Sequence, residues 1–399
     1  MQMVLVIVTG HVVADAPPTR RAIAWLAARP RTPRGAVAFV AAVALATSWV
    51  NWGFGLVASA VLARAIARRL PGVDYRALAA ASLLGLGSVW AQGLSGSAAI
   101  QMATPDALSP ALRAIVEHGG VVPGGVITLR DTIFLRGSLL SVAIELVVVT
   151  GLMWLVAPTT TAEDARALGV ELDEPAAAPE PPREPGLGPW LDRSGTTTLP
   201  FVALALVFLA RSLGGGIASL SLGTINLALL TAGLVLHRTP RRLLDAVARA
   251  VPSTAGVVLQ FPLYAGIAGM IAATHLNERI AAVFVRLATH DTFPPLMAAY
   301  STLLGVFVPS GGGKWIIEAP YVMRAAHELK VHLGWTVACY DLGEAAANLI
   351  QPFWMLPVLG LFRLRARDVM GYTFLVFAVL FPLVLVLTWA LGRGLPYPL

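Results

Sequence analysis

Phe307-Val308-Pro309-Ser310-Gly311-Gly312-Gly313-Lys314-Trp315 interrupts a long apolar segment in which a helix would otherwise run unbroken. A proline followed so closely by consecutive glycines does not continue a helix, because in a helix interior glycine costs roughly 1 kcal/mol and proline about 3 relative to alanine. The backbone opens here. At membrane depth an opened backbone is tolerated only where protein buries it or where it lines a wet cavity, so the stretch is a candidate binding site rather than a connector.

Composition places it at membrane depth. The chain is 57% hydrophobic and only 13% charged over 399 residues, with a mean hydropathy of +0.73, far more apolar than a soluble domain of its length. Uncharged runs such as Ala77 to Thr104, Ala250 to Thr274 and Val369 to Gly392 exceed the ~20 residues that span a bilayer core. The class this implies is an all-α polytopic membrane protein. A single cysteine, Cys339, excludes a disulfide framework and any multi-thiolate metal site. The net charge of +7 would suggest nucleic acid in a soluble protein; here the basic residues fall between apolar segments, so they report topology and no nucleic-acid partner is expected.

Working outward, Leu296 to Ala326 carries its breaker near the middle and predicts a re-entrant helical hairpin entered from outside. Trp335 to Leu356 then crosses inward as a broken helix, with Asp341, Gly343, Glu344, Asn348, Gln351 and Pro352 as interruptions, and Arg363, Arg365 and Arg367 mark the cytoplasmic loop beyond. The first half has the same succession. Ala36 to Ala67 is flanked by arginines on both sides and turns at Ser48 to Gly55; halves of about 14 residues reach about 21 Å, short of the ~30 Å core. One tilted helix with an interfacial extension is the plainer alternative. Ala77 to Thr104 follows as a helix broken at Trp90 to Ser97, although its small residues would also suit close helix packing. Hairpin then broken helix, once from each side, is the pattern of an inverted-topology repeat with its site between the halves.

The organisation expected is a first membrane repeat over 1–157 (hairpin 36–67, broken helix 77–104), an acidic, proline-rich cytoplasmic linker over 158–198, and a second repeat over 199–399 (hairpin 296–326, broken helix 335–356). Breaks are also expected at Gly214 to Gly216 and a kink at Gln260 to Gly266. The second half has three crossings before its hairpin and the first only residues 1–16, so symmetry predicts roughly two further helices ahead of this N-terminus. Met1 to Val8 lacks a basic flank, which favours a curtailed transmembrane helix over a signal peptide. Glu145, an intramembrane carboxylate, is flagged for an ion or structural role.

Five stretches, in order along nearly the whole chain, carry a resemblance: Asn51 to Leu56; Gly93 to Ser97 through Thr104-Pro105; Gln260-Phe261-Pro262 to Gly266; Val308 to Gly313 with Trp315; and Asn348 to Trp354. Together they resemble the bacterial short-chain fatty acid transporter family, of the ion transporter superfamily. The resemblance implies a carrier of short carboxylates such as acetoacetate or butyrate in the bacterial inner membrane, driven by an ion gradient through elevator-type motion, and a homodimer. This sequence departs from the pattern at Lys314 and Glu318, where similar proteins carry neutral residues, at Glu344 in place of an aspartate, and at Ala347 in place of a hydroxyl residue.

The chemistry can also be argued from the residues. A short carboxylate needs convergent N–H donors or a cation, plus an apolar wall. Hairpin tips and helix N-termini supply the donors. Asn51, Trp52 and Gly53 at one tip and Ser310, Gly311, Gly312, Gly313, Lys314 and Trp315 at the other are the substrate-binding candidates, with Trp52, Trp90 and Trp315 as walls. Lys314 is either the countercharge for the substrate or a partner of Glu318 one turn on. No organic cofactor is expected. For a coupling ion, Ser95, Ser97, Glu344 and Asn348 are hard-oxygen candidates for Na+, and Glu344, Asp341 or Glu145 for a proton.

Other classes fit less well. A phosphate-binding loop fails because Trp315 follows the lysine. A membrane enzyme would need active-site groups in mid-span, whereas the seven histidines (His11, His118, His237, His275, His290, His327, His332) mostly fall in connections. A passive channel would not accumulate its solute.

Overall fold

The computed structural model describes residues 2–172, 186–214 and 220–399, and among these every regular element is helical. The expected break at Gly214 to Gly216 lies largely outside the described residues, as does the proline-rich stretch 173–185. Helices α1 (Gln2–Asp15) and α2 (Pro17–Leu26) lead into α3 (Pro33–Val50), started by Pro33 and by the Thr32 hydroxyl, which accepts from Gly35 N at 3.2 Å. A single residue, Asn51, separates α3 from α4 (Trp52–Arg69), which folds back along it. α5 (Tyr75–Leu83), capped by Asp74, gives way to irregular backbone until α6 (Ala98–Met102). A connection containing α7 (Pro110–Glu117) leads to α8 (Arg136–Val156).

After α9 (Leu187–Arg193), the second half runs through α10 (Leu199–Ser212), α11 (Leu222–His237), α12 (Pro240–Ala250), α13 (Ala255–Ala273, with Pro262 inside it) and α14 (Leu276–Leu287). α15 (Phe293–Phe307) and α16 (Gly311–Glu328) make the second hairpin, its arms joined by a 2.8 Å Tyr300–Tyr321 hydroxyl bond while α15 packs mainly against the helix that follows the hairpin. α17 (Leu333–Ala347), α18 (Leu356–Phe362) and the 27-residue α19 (Ala366–Gly392) complete the fold.

Polarity is distributed as in a membrane protein. Among the described residues, four helical stretches are long and apolar enough to cross a bilayer: Pro33–Val50, Arg136–Val156, Gly195–Ser212 and Ala366–Gly392. Large apolar side chains point outward from them, with Leu155 65% and Leu204 70% exposed, faces that lipid covers and water would not tolerate. The polar side chains are inside. Asn51, Ser95, Ser97, Lys314, Glu318, Asp341, Glu344 and Asn348 are each no more than 4% exposed.

Three features differ from the sequence expectation. The hairpin arms are longer: α3, α4 and α16 each have 18 residues, about 27 Å. Asp341, Gly343 and Glu344 do not interrupt α17, which runs unbroken to Ala347; the break is confined to Asn348–Met355. Gly343 serves instead as a point of close approach, since a Cβ there would strike the Ala298 carbonyl of α15. Finally, the acidic segment begins as docked chain. Tyr75 N donates to Glu163 O at 2.9 Å, Arg76 pairs with Glu163 at 2.7 Å, and Arg68 Nε donates to Leu172 O at 2.6 Å, while Ala165 and Val170 are buried.

Candidate functional site

The two hairpin tips are bridged by a shared tryptophan, Trp354. At the first, Asn51 Oδ1 caps α4 by accepting from Phe54 N at 2.8 Å, and Trp52 N donates to Ser95 Oγ at 2.8 Å. The Trp52 ring packs edge-on against Trp90 (6.0 Å) and Trp354 (5.4 Å). At the second, Ser310 Oγ caps α16 by accepting from Gly313 N at 3.3 Å. Trp354 joins the two: its ring lies on Trp52, and its indole Nε1 donates to Pro309 O at 2.8 Å. Asn51, Trp52 and the start of α16 are thus brought to one region. Trp90 belongs to it as well. The Trp315 ring packs 4.6 Å from Tyr340, whose hydroxyl donates to Gly311 O at 3.0 Å.

The second tip holds charge. Lys314, which shares the chain's lysine complement only with Lys330, is 2% exposed. Its ammonium donates to Ser301 O at 2.6 Å and to Ser301 Oγ at 3.1 Å, and contacts Glu344 Oε2 at 2.5 Å. The face of Tyr340 lies 4.9 Å away, near enough for a cation–π attraction. This corrects the pairing of Lys314 with Glu318. The cross-helix carboxylate of α17 and the carbonyl of α15 draw the ammonium away from its own helix, and among the described residues neither Glu318 oxygen has a hydrogen-bond partner although the side chain is 1% exposed.

Around this pair the broken stretch before α6 is pinned to α17. Asp341 accepts from Ser97 Oγ (2.9 Å), Ala98 N (3.1 Å) and Ala99 N (3.0 Å), and Gln101 Nε2 donates to Gly312 O at 3.0 Å. Gly311 has to be glycine at this crossing: a Cβ would lie 2.6 Å from Ser97 Oγ. The remaining ion candidates have protein partners. Ser95 holds the first tip, Ser97 holds Asp341, Glu344 holds Lys314, and Asn348 Nδ2 donates to Leu86 O at 3.1 Å. Glu145 Oε1 accepts from Gln92 Nε2 (2.8 Å) and Ser141 Oγ (3.1 Å), tying α8 to the broken stretch. A cavity of about one water lies between Gln92, Thr132, Ser138 and Asp341.

Sequence reasoning missed Ser301, Tyr340 and Gln101. Tyr340 had a signal: it stands one turn before Glu344 and so shares its face. Ser301 had none, since which residue of α15 meets Lys314 depends on how the hairpin arms lie.

The comparisons with known proteins decide the family. A family model described as short chain fatty acid transporter matches residues 1–391. The chain belongs to the short-chain fatty acid transporter family. A member from Escherichia coli K12, provisionally named a short-chain fatty acid transporter, is 38% identical over 93% of this chain and 82% of its own length. Another from Haemophilus influenzae, named the same way, is 32% identical with the same coverage. Two solved structures share the fold. The YdaH transporter of Alcanivorax borkumensis superposes with a TM-score of 0.56 at 17% identity, over 99% of this chain and 85% of that one. MtrF of Neisseria gonorrhoeae, described with a class of antimetabolite efflux pumps, gives 0.60 at 13% identity, over 99% and 82%. This member of the short-chain fatty acid transporter family is therefore a membrane protein of transporter fold.

Proposed function

We propose that this chain is a secondary carrier of short carboxylates, such as acetoacetate or butyrate, in the bacterial cytoplasmic membrane, coupled to an ion gradient and working by alternating access. The observation that carries this reading is a group of buried donors at the first tip. Asn51 Nδ2, Trp52 Nε1 and Trp90 Nε1 have no acceptor among the described residues. Each such donor costs about 1–3 kcal/mol when left unmade. A carboxylate is the complement: two oxygens with about four lone-pair sites and no donor of its own. The Trp52, Trp90 and Trp354 rings suit a short apolar tail, and Trp354 links this region to the tip that carries Lys314, the countercharge.

Family membership supports the substrate class. Alternating access is supported by burial: Lys314 and Glu344 are each 2% exposed, so a carboxylate reaches the ammonium only when helices part. The test is uptake of butyrate and acetoacetate into proteoliposomes holding the purified chain, with sodium and proton gradients imposed separately. Accumulation above the outside concentration under one gradient, lost in Lys314→Gln, is the expected result. Equilibration without accumulation would make the chain a channel, and silence under both gradients would remove the substrate class.

A further inference from the structure

Two buried carboxyls share one cation at the second tip. Glu344 has the Lys314 ammonium at 2.5 Å, whereas among the described residues neither oxygen of Glu318 has a hydrogen-bond partner. The neighbours of Glu318 offer it no further positive charge. From α15 and α17 they are the neutral phenols of Tyr300 and Tyr340, and on its own helix Tyr321 and Lys314. Arg324 lies six residues along α16, about 9 Å farther up the axis. The described charged side chains of α14, Arg279 and Arg286, are exposed. On α7, Arg113 is turned to the Pro105 carbonyl, and Glu117 and His118 are exposed; α6 and α13 carry no charged residue. Asp341 of α17, one turn before Glu344 and within electrostatic reach of it, has its own three donors, the Ser97 hydroxyl and two backbone amides.

An unpaired carboxylate in such a place costs several kcal/mol, and so takes up a proton instead. The Lys314–Glu344–Glu318 group is then neutral when empty: Lys314 cationic, Glu344 anionic, Glu318 a carboxylic acid. An entering carboxylate adds one negative charge and no cation, and the only ammonium is already taken.

We propose that binding of a carboxylate at Lys314 is linked to the uptake of one proton from water by Glu344, which releases the ammonium to the substrate while Glu318 stays protonated. One O–H bond forms on the Glu344 carboxylate, the substrate enters as the anion, and the loaded site is again neutral. The coupling ion is therefore the proton and the transported unit carries no net charge. The inference rests on the carboxylate-carrier reading above.

The experiment is a titration of the purified full chain in detergent with butyrate, in weakly buffered solution, following both binding and proton uptake. The expected stoichiometry is about one proton per butyrate, with affinity falling about tenfold per pH unit wherever Glu344 is ionised in the empty protein. The slope has this sign because the loaded form holds the extra proton and rising pH favours the form with fewer. In Glu318→Gln/Glu344→Gln the lone ammonium takes butyrate without a proton and the slope vanishes. Should the double variant not fold, the wild-type stoichiometry decides alone. Binding without proton uptake, or uptake undiminished in the double variant, overturns the proposal. Absence of butyrate binding overturns the substrate reading and the proposal with it. An infrared spectrum of the ligand-free protein tests the charge arrangement independently: a protonated carboxyl C=O band lost in Glu318→Gln is expected, and a spectrum unchanged by that substitution overturns it.

Discussion

At the first tip one residue turns the chain, and everything that holds it is neutral: the Asn51 carbonyl oxygen on Phe54 N, Ser95 Oγ on Trp52 N, and three indole rings. At the second tip three residues turn the chain, and behind the Ser310 cap lies an ion pair at 2.5 Å. Both are helix N-termini buried against broken backbone. They differ in what removal of a partner leaves behind. A missing neutral group leaves a dipole unsatisfied, whereas a missing charge leaves its opposite stranded in the interior. On the proposed reading the first tip donates hydrogen bonds to an acceptor from outside the chain, and the second keeps charge in balance.

The largest test of that contrast is Lys314→Met against Asn51→Ala. Methionine fills the space of the lysine stem but strands Glu344, a loss of about 3–5 kcal/mol for one partner of a buried pair. Asn51→Ala removes a helix cap, about 1 kcal/mol. Thermal unfolding of both variants in the same detergent should show the lysine variant melting well below the asparagine one. Equal shifts would mean that the ion pair is no more than a neutral contact.

Next in size is the pair of glycines in the two tips. In Gly311→Ala the new methyl lies 2.6 Å from Ser97 Oγ and 2.9 Å from Ser97 Cβ, so the crossing of α16 with the broken stretch has to open, a loss of about 1–3 kcal/mol. In Gly53→Ala the nearest atoms are at 3.4 Å, and the better helix propensity of alanine, up to about 1 kcal/mol, offsets the tightness. The first variant should lose stability and the second stay near wild type in the same melting assay. The reverse order would show that the first tip is the tighter one.

How far the sequence alone reaches follows the same division. The tips were legible because a proline with a run of glycines, or an asparagine next to glycines, breaks an apolar helix through local backbone energetics. The continuity of α17 was not. Asp341 and Glu344 look like interruptions in an apolar run, yet each is satisfied across a helix boundary, by Ser97 and the amides of α6 and by Lys314, and with those partners a helix tolerates them. Likewise Gly343 reads locally as a breaker and acts as a contact surface for Ala298. Spacing offered Lys314 a partner four residues away, and tertiary packing supplied a nearer one on another helix. Cross-helix partners of this kind have no period in the sequence.

The smallest expected effect bears on the link between the two tips. Trp354→Phe keeps an aromatic ring facing Trp52 and removes the indole N–H that donates to Pro309 O at 2.8 Å. Because the carbonyl loses a neutral hydrogen bond, the loss should be about 0.5–1.5 kcal/mol. Stability alone would not reveal a link, so the informative measurement is a double-mutant cycle with Trp52→Leu, which removes the facing ring. If Trp354 communicates between the tips, the two losses should fall short of additivity by about 0.5 kcal/mol or more, the range seen for residues in contact. If it merely fills space at each tip separately, they should add. Additive losses would separate the neutral tip from the charged one, and the carboxylate would then have to be assigned to one of them alone.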